Sequence, residues 1–146
     1  MSEQIVVEIP IEQFDLSLLP NSAREIGTEA FRDAVVSFFQ TELKGLAERI
    51  EVLMDSKVIR VAWYPESEGF DPVEHAIERL KTGDYRRGVQ LLRLLANAKP
   101  NDVTVNYNLG MALSDLGQLD EAVEHLQRAL DAKPREANIH VALGVA

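Results

Sequence analysis

Apolar and polar residues alternate in two short stretches of the first half of the chain. Residues 5–11 read IVVEIPI and residues 57–64 read KVIRVAWY, with apolar side chains recurring at every second position. Successive side chains of a strand point to opposite faces, so this period predicts two strands that each bury one face. Pro10 has no amide hydrogen to donate, which places the first strand at a sheet edge or ends it there.

Between these strands the spacing of apolar residues becomes helical. From about 22 to about 53 they recur at intervals of three and four, and Ser22 with Glu25 has the spacing of a capping box. We predict one long helix, with Gly27 and Gly45 as the positions where it bends most easily. Two strands joined by a helix favour a right-handed βαβ unit with parallel strands. Because two strands make a marginal sheet, we expect a second copy or the C-terminal half to complete or cover it.

Residues 103–136 contain two amphipathic helices joined by a turn. Gly117 lets this turn reach backbone angles that other residues avoid. Pro134 ends the second helix because it lacks an amide hydrogen and clashes with the preceding turn. The apolar positions of the two helices are Leu109, Ala112, Leu113, Leu116, Ala122, Val123, Leu126, Ala129 and Leu130.

The same pattern recurs at a spacing of 34 residues. Gly117 falls on Gly83 when the frame moves back, and residues 109–110 fall on residues 143–144 when it moves forward. These residues resemble the tetratricopeptide repeat (TPR), a helix-turn-helix unit of 34 residues. The resemblance covers residues 69–146, as the units 69–102 and 103–136 and the partial unit 137–146.

The first unit departs from the family pattern at its most closely packed positions. The resemblance implies leucine and glycine where His75 and Ala76 stand, and alanine where Gly88 stands. A glycine inside a helix costs about 1 kcal/mol relative to alanine. We therefore expect the first unit to be the more irregular of the two.

The two halves together predict an α+β chain. Residues 1–68 form a small βαβ-like α/β cap domain, for which no family resemblance is found, packed on an all-α TPR superhelix of residues 69–146. The polar stretch 65–69, which contains Pro65 and Gly69, is the best boundary between them.

Composition narrows the range of partners. The formal net charge is −9, and an acidic surface repels phosphates, so we expect neither nucleic acid nor a membrane as partner. The chain has no cysteine and no apolar run near the roughly 18 residues that a membrane helix needs. A cytoplasmic protein is the expectation. The basic residues of the first unit are interpreted as a solvated face, namely Arg79, Lys81, Arg86, Arg87 and Arg93.

The sequence offers little catalytic chemistry. It contains no nucleophile elbow, zinc-binding H-E-x-x-H motif or phosphate-binding glycine loop. Glu121 and His125 have the i,i+4 spacing that can hold a metal or tune a pKa, but such pairs are mostly surface ion pairs. We predict that the protein is not an enzyme and uses no metal or cofactor.

The resemblance implies a concave groove lined by the first helix of each repeat. In this sequence the groove has an apolar floor, which is typical of a surface that receives an amphipathic helix or a peptide. The alternative is that the long helix of residues 31–53 fills the groove. The predicted groove residues are Val73, Ile77, Tyr107, Asn108, Met111, Val141 and Val145.

The favoured function is therefore a protein–protein interaction scaffold or adapter whose partner is another protein or a peptide. One alternative is a homo-oligomerisation module, in which the N-terminal strands and the C-terminal helix form a homodimer. Another is a regulatory α/β domain with an appended TPR, which would place a polar pocket near Arg60, Trp63 and Tyr64.

Overall fold

The computed structural model describes residues 4–44, 47–65 and 72–132. The chain folds as two compact units, Met1–Pro72 and Val73–Ala146. The described part of the first unit contains a sheet and one long helix, and the described part of the second is helical. Residues 66–69 of the predicted boundary lie outside the described residues, as does the predicted partial repeat 137–146.

The sheet of the first unit is antiparallel. Its strands are β1 (Ile5–Pro10), β2 (Ala47–Met54) and β3 (Val58–Pro65), in the order β1-β3-β2. The two strands predicted from alternation are confirmed, and their apolar positions face each other, with Val7 opposite Val61 and Ile9 opposite Ile59. All four of these side chains are buried, so the period-two pattern marks the face on which the core of this unit forms.

The predicted parallel βαβ arrangement is wrong, because β1 and β3 run antiparallel and β2 lies between the helix and β3 in the chain. The sheet gains its third strand from residues that were predicted to be helical. β2 and β3 form a hairpin whose turn is closed by the carboxylate of Asp55, which accepts hydrogen bonds from the amides of Lys57 and Val58 at 2.7 and 2.8 Å. These bonds also lower the pKa of Asp55.

The helix predicted for about residues 22–53 is shorter at both ends. Helix α1 spans Glu29–Leu43, and Thr28 caps it by accepting a hydrogen bond from the amide of Phe31 at 3.2 Å. Gly27 precedes the cap with φ of 94°, a conformation that suits glycine, and residues 21–23 form a separate 3₁₀ turn. The predicted capping box at Ser22 is therefore wrong. α1 packs against β2, and its buried apolar residues are Phe31, Val35, Phe39 and Leu43.

The second unit consists of two helical hairpins over its described residues, as the sequence predicts. Each hairpin turns at a glycine with positive φ, 89° at Gly83 and 80° at Gly117, so the two glycines occupy equivalent bends. Aspartates cap two of the helices: Asp84 accepts from the amide of Arg87, and Asp102 from that of Val105. The helices are α2 (Pro72–Lys81), α3 (Tyr85–Ala98), α4 (Val103–Asp115) and α5 (Leu119–Ala132).

The two hairpins share one hydrophobic core. α3 supplies the largest share of it and packs against α4, which in turn packs against α5. This sharing follows from the amphipathic pattern, since each helix buries one apolar stripe against its neighbours. The buried members of the core are Ala76, Val89, Leu91, Leu92, Leu95, Ala96, Val105, Leu109, Ala112, Leu113 and Ala122.

A glycine brings the two helices of each hairpin together. A Cβ atom at Gly88 of α3 would lie 2.6 Å from the Leu80 side chain and 3.1 Å from the carbonyl oxygen of Ala76. A Cβ atom at Gly110 of α4 would lie 2.6 Å from the Leu126 side chain and 3.1 Å from the carbonyl oxygen of Ala122. Both glycines are therefore required by close helix packing.

Candidate functional site

An open groove of about 310 Å³ lies on the second unit, between the first helices of the two hairpins. The 34-residue repeat explains how its walls arise. Ile77 of α2 and Met111 of α4 are equivalent positions, as are Lys81 and Asp115, so the stacking of the hairpins places them side by side. The groove is lined by Ile77, Leu80, Lys81, Tyr85, Asn108, Met111, Ala112 and Asp115.

The structure brings three of the predicted groove residues together: Ile77, Asn108 and Met111 line the groove. Val73 and Tyr107 are half-buried and do not line it. Val73 instead packs against the hydrophobic core. The remaining two predicted residues, Val141 and Val145, lie outside the described residues.

The repeat register also places Leu80, Lys81 and Asp115 on the predicted face, whereas Tyr85 and Ala112 lie outside it. Tyr85 is the first residue of α3, and it reaches the groove because the turn at Gly83 returns the chain beside α2. Ala112 belongs to the core as well as to the groove wall. The outward positions of the first helices include neither Tyr85 nor Ala112. Tyr85 could have been predicted from its position, since it is an aromatic residue shortly after the turn at Gly83.

The groove combines an apolar floor with a few polar groups. Met111 is 36% exposed, and its unbranched thioether side chain can adapt to different apolar partners. Asn108 donates its amide hydrogen to the carbonyl oxygen of Thr104 at 2.8 Å, which leaves its own side-chain oxygen as an acceptor. Lys81 and Asp115 add one charge of each sign at the wall. Such a surface suits an apolar side chain with polar neighbours.

The helix that was predicted to fill the groove does not form as one element. The alternative in which a helix of residues 31–53 fills the groove is wrong, because α1 ends at Leu43 and residues Ala47–Met54 form strand β2. The apolar face that was assigned to the groove belongs to the core of the first unit, with Phe31, Val35 and Phe39 each no more than 1% exposed.

A buried polar network links the two hairpins. Arg93 of α3 binds both carboxylate oxygens of Glu121 at 2.8 and 3.0 Å, and its side chain is only 11% exposed. His125 approaches the same carboxylate with Nε2 at 3.8 Å. The contact with His125, together with the hydrogen bonds and positive charge of Arg93, lowers the pKa of Glu121 to about 2 against a smaller opposing effect of burial.

The network continues through His125 to a buried asparagine. Asn106 is fully buried and donates its amide hydrogens to the carbonyl oxygens of Pro100 and Asp102 at 2.8 and 2.9 Å. These bonds fix the amide orientation, so its oxygen accepts from Nδ1 of His125 at 3.0 Å. The interpretation of Glu121 and His125 as a surface pair is therefore wrong, because His125 is 7% exposed and is bonded to Asn106 of α4 inside the second hairpin.

The basic residues of the first repeat do not form one patch. Arg87 pairs with Asp84 at 3.0 Å, whereas Arg93 is held by Glu121. Lys81 lines the groove. Arg79 also pairs with Asp84, at 3.9 Å, so these four basic residues divide among the carboxylate of Asp84, the carboxylate of Glu121 and the groove.

Of the three residues that were considered for a pocket in the first unit, Arg60 and Trp63 lie on opposite faces of the sheet. Arg60 lies on the outer face of the sheet and pairs with Glu8 at 3.0 Å, whereas Trp63 is 1% exposed on the buried face. Alternation along β3 requires this, since residues 60 and 63 point to opposite faces. Within residues 4–44, 47–65 and 72–132, no group of three or more His, Asp or Glu side chains is arranged to hold a metal ion.

The repeat pattern, the equivalent glycine turns and the shared core define the class of protein. A family model described as tetratricopeptide repeat matches residues 73–137 and 107–146, which together span half of the chain. The chain therefore belongs to the tetratricopeptide repeat family, and its second unit is a protein–protein interaction scaffold. We find no match among curated proteins.

Among the solved structures, a point mutant of MamA is similar: it is 33% identical to this chain over the matched region, with a TM-score of 0.46. The match covers 51% of this chain and 57% of that chain, so it spans little more than half of the other protein. None of the helices within the described residues is both long and apolar enough to cross a membrane. The cytoplasmic location and the homodimer stay predictions.

Proposed function

We propose that the chain is an adapter that binds an apolar segment of another protein in the groove. The observation that carries the proposal is the exposure of Met111 beside Ile77, at equivalent positions of two successive repeats. By contrast, the two leucines of α4, Leu109 and Leu113, are fully buried. An apolar side chain left open in a groove between repeats is typical of a partner site.

The size of the groove indicates the kind of partner. At about 310 Å³ it lies near the lower limit of ligand pockets, which hold roughly 300–1,000 Å³. We infer that it receives a few side chains of a larger partner and that further contacts lie along the repeat surface. Burial of one partner leucine would contribute about 1.5–3 kcal/mol, which suits a reversible interaction. The proposal assigns binding, and no catalytic step, to this groove.

A pull-down with quantitative mass spectrometry tests the proposal. The groove variant is Ile77→Ala combined with Met111→Ala, and Val6→Ala is the matched control, because Val6 is 52% exposed but lies on the sheet of the first unit. We expect a set of proteins to be retained by the wild type and the control and lost by the groove variant. Unfolding curves of the three proteins establish that the groove variant remains folded. An identical set of retained proteins for all three would contradict groove binding.

A further inference from the structure

Two charged residues of opposite sign stand at equivalent positions of the groove. Lys81 is the last residue of α2, and Asp115 is the last residue of α4. Both side chains are exposed and line the groove. Within the described part of the chain, neither of them makes an ion pair or a hydrogen bond through its side chain.

The two hairpins carry opposite charge beyond these residues. Residues 72–102 contain six Lys or Arg against four Asp or Glu, whereas residues 103–132 contain one against five. The wall formed by α2 therefore belongs to a hairpin with net positive charge, and the wall formed by α4 to one with net negative charge. A partner in the groove lies between fields of opposite sign.

The aspartate is placed against local helix electrostatics. The C-terminal end of a helix carries partial negative charge, which favours a cation in the last turn and disfavours an anion. Lys81 satisfies this preference at the end of α2, but Asp115 violates it at the end of α4. Residues that break a local rule without compensation inside the fold are expected at functional sites, and a cation supplied by the partner would compensate Asp115.

On the basis of the proposed groove binding, we propose that the occupant is an amphipathic peptide segment of another protein that carries an acidic and a basic side chain beside its apolar residues. Its apolar residues contact Ile77 and Met111. Its acidic side chain faces Lys81 on the α2 wall, and its basic side chain faces Asp115 on the α4 wall. The charge pair orients the segment and selects it over segments of a single sign.

Three synthetic helical peptides serve as probes. They share one length, one fluorescent label and one pair of leucines at i and i+4, and the residues that flank the leucines are one acid and one base, two acids, or two bases. Fluorescence anisotropy at low salt measures their affinity for the whole chain. We expect the mixed peptide to bind the wild type about threefold to tenfold more tightly than either single-sign peptide. The preference should shrink at high salt, since these charges are exposed.

Charge reversals at Lys81 and Asp115 should change which of the three peptides binds most tightly. Lys81→Glu should favour the peptide with two bases, and Asp115→Lys the peptide with two acids. The matched controls are Lys99→Glu and Asp131→Lys, which make the same changes in net charge at helix ends that do not line the groove. Both controls should keep the preference of the wild type for the mixed peptide.

The outcomes separate this inference from the proposed function. Equal binding of all three peptides, weakened by Ile77→Ala with Met111→Ala, would overturn the charge selection and leave groove binding in place. Binding that the groove variant does not weaken would contradict both. The same holds if no peptide binds. A specificity change with the Lys99 and Asp131 controls as large as with the groove reversals would also overturn the inference, because net charge alone would then explain it.

Discussion

The two hairpins of the second unit share one 34-residue repeat, but the glycine that allows close helix packing lies on the second helix of the first hairpin and on the first helix of the second hairpin. In the first hairpin the close approach uses Ala76 on the first helix and Gly88 on the second, whereas the second hairpin uses Gly110 on its first helix and Ala122 on its second. The departure of the first repeat from the family pattern is therefore an exchange of glycine and alanine across the helix pair. One position of each pair must lack a Cβ atom, and either helix can supply it.

The second difference between the hairpins lies in burial. Val89 of α3 is 3% exposed, and its equivalent Val123 of α5 is 52% exposed. The reason is that α3 packs against the next hairpin through α4, which buries its apolar stripe. The same sequence pattern therefore stabilises a repeat only where a neighbouring helix covers it.

The polar network adds a third difference, because it does not repeat. Glu121 and His125 of the second hairpin correspond to Arg87 and Leu91 of the first. The bond from Glu121 to Arg93 joins the second hairpin to the first, whereas the bond from His125 to Asn106 joins α5 to α4 within the second hairpin. These contacts are thus specified by particular residues in addition to the repeat pattern.

The largest expected effect comes from removal of the buried amide. Asn106→Ala removes the side-chain hydrogen bonds to the carbonyl oxygens of Pro100 and Asp102 and to Nδ1 of His125, so we expect a loss of about 2–4 kcal/mol in the free energy of unfolding. Asn108→Ala is the matched control, two residues along the same helix but only half-buried, and should cost less than about 0.5 kcal/mol. Chemical denaturation measures both. Equal losses would contradict the structural role of the network.

The difference in burial predicts the next effect. Val89→Ala should destabilise the protein by about 2 kcal/mol, because it removes two buried methyl groups and leaves a cavity. Val123→Ala, the same change at the equivalent position, should stay within about 0.5 kcal/mol. Thermal and urea unfolding of the two variants give the comparison. A cost at Val123 as large as that at Val89 would show that this side chain is covered in solution.

Substitution of either closely packed glycine should cause a smaller loss of stability, and for Gly88 a second substitution at Leu80 should recover part of that loss. Gly88→Ala and Gly110→Ala each gain about 1 kcal/mol of helix propensity but force contacts that cost about 1–3 kcal/mol, so a net loss near 1 kcal/mol is expected. Leu80→Ala removes the side chain that a Cβ at position 88 meets. A double-mutant cycle of Leu80→Ala and Gly88→Ala should therefore show favourable coupling. Simple additivity would argue against this contact.

The smallest effect concerns pH. Folding lowers the pKa of Glu121 from its ordinary value of 4.5 to about 2, so the folded state binds this proton less readily than the unfolded state. The resulting stability is fully present above about pH 4.5 and is lost as the pH falls towards 2. Because the side chain is about one-third exposed, we expect roughly 1 kcal/mol over this range. Glu121→Gln should flatten that part of the profile, and a profile unchanged by the substitution would refute the assignment.

The sequence predicts the repeat half well because its signals are local. Gly83 and Gly117 mark turns by themselves, and the apolar period defines each helix without reference to the rest of the chain. From that register Ile77 and Met111 fall on the groove. The links through Asn106 and His125 could not be predicted, since they depend on contacts between helices that no period encodes.

The first half shows where a periodic pattern becomes ambiguous. In residues 47–54 (AERIEVLM) the apolar spacing of Ile50 and Leu53 fits a helix, while that of Ile50, Val52 and Met54 fits a strand. The choice depends on a partner: the turn at Asp55 lets this segment pair with β3. A long-range pairing therefore overrides a local helical pattern, which single-sequence reasoning cannot weigh.

The proposed function requires that a partner protein lies in the groove between α2 and α4. The most direct test places a photo-crosslinking amino acid at Met111, and at Val6 as the control, and compares the adducts formed in a lysate after irradiation. We expect a discrete adduct from position 111 that is absent from position 6 and disappears when Ile77 is also changed to a charged residue. Adducts of the same size and yield from both positions, or none from position 111, would contradict the claim.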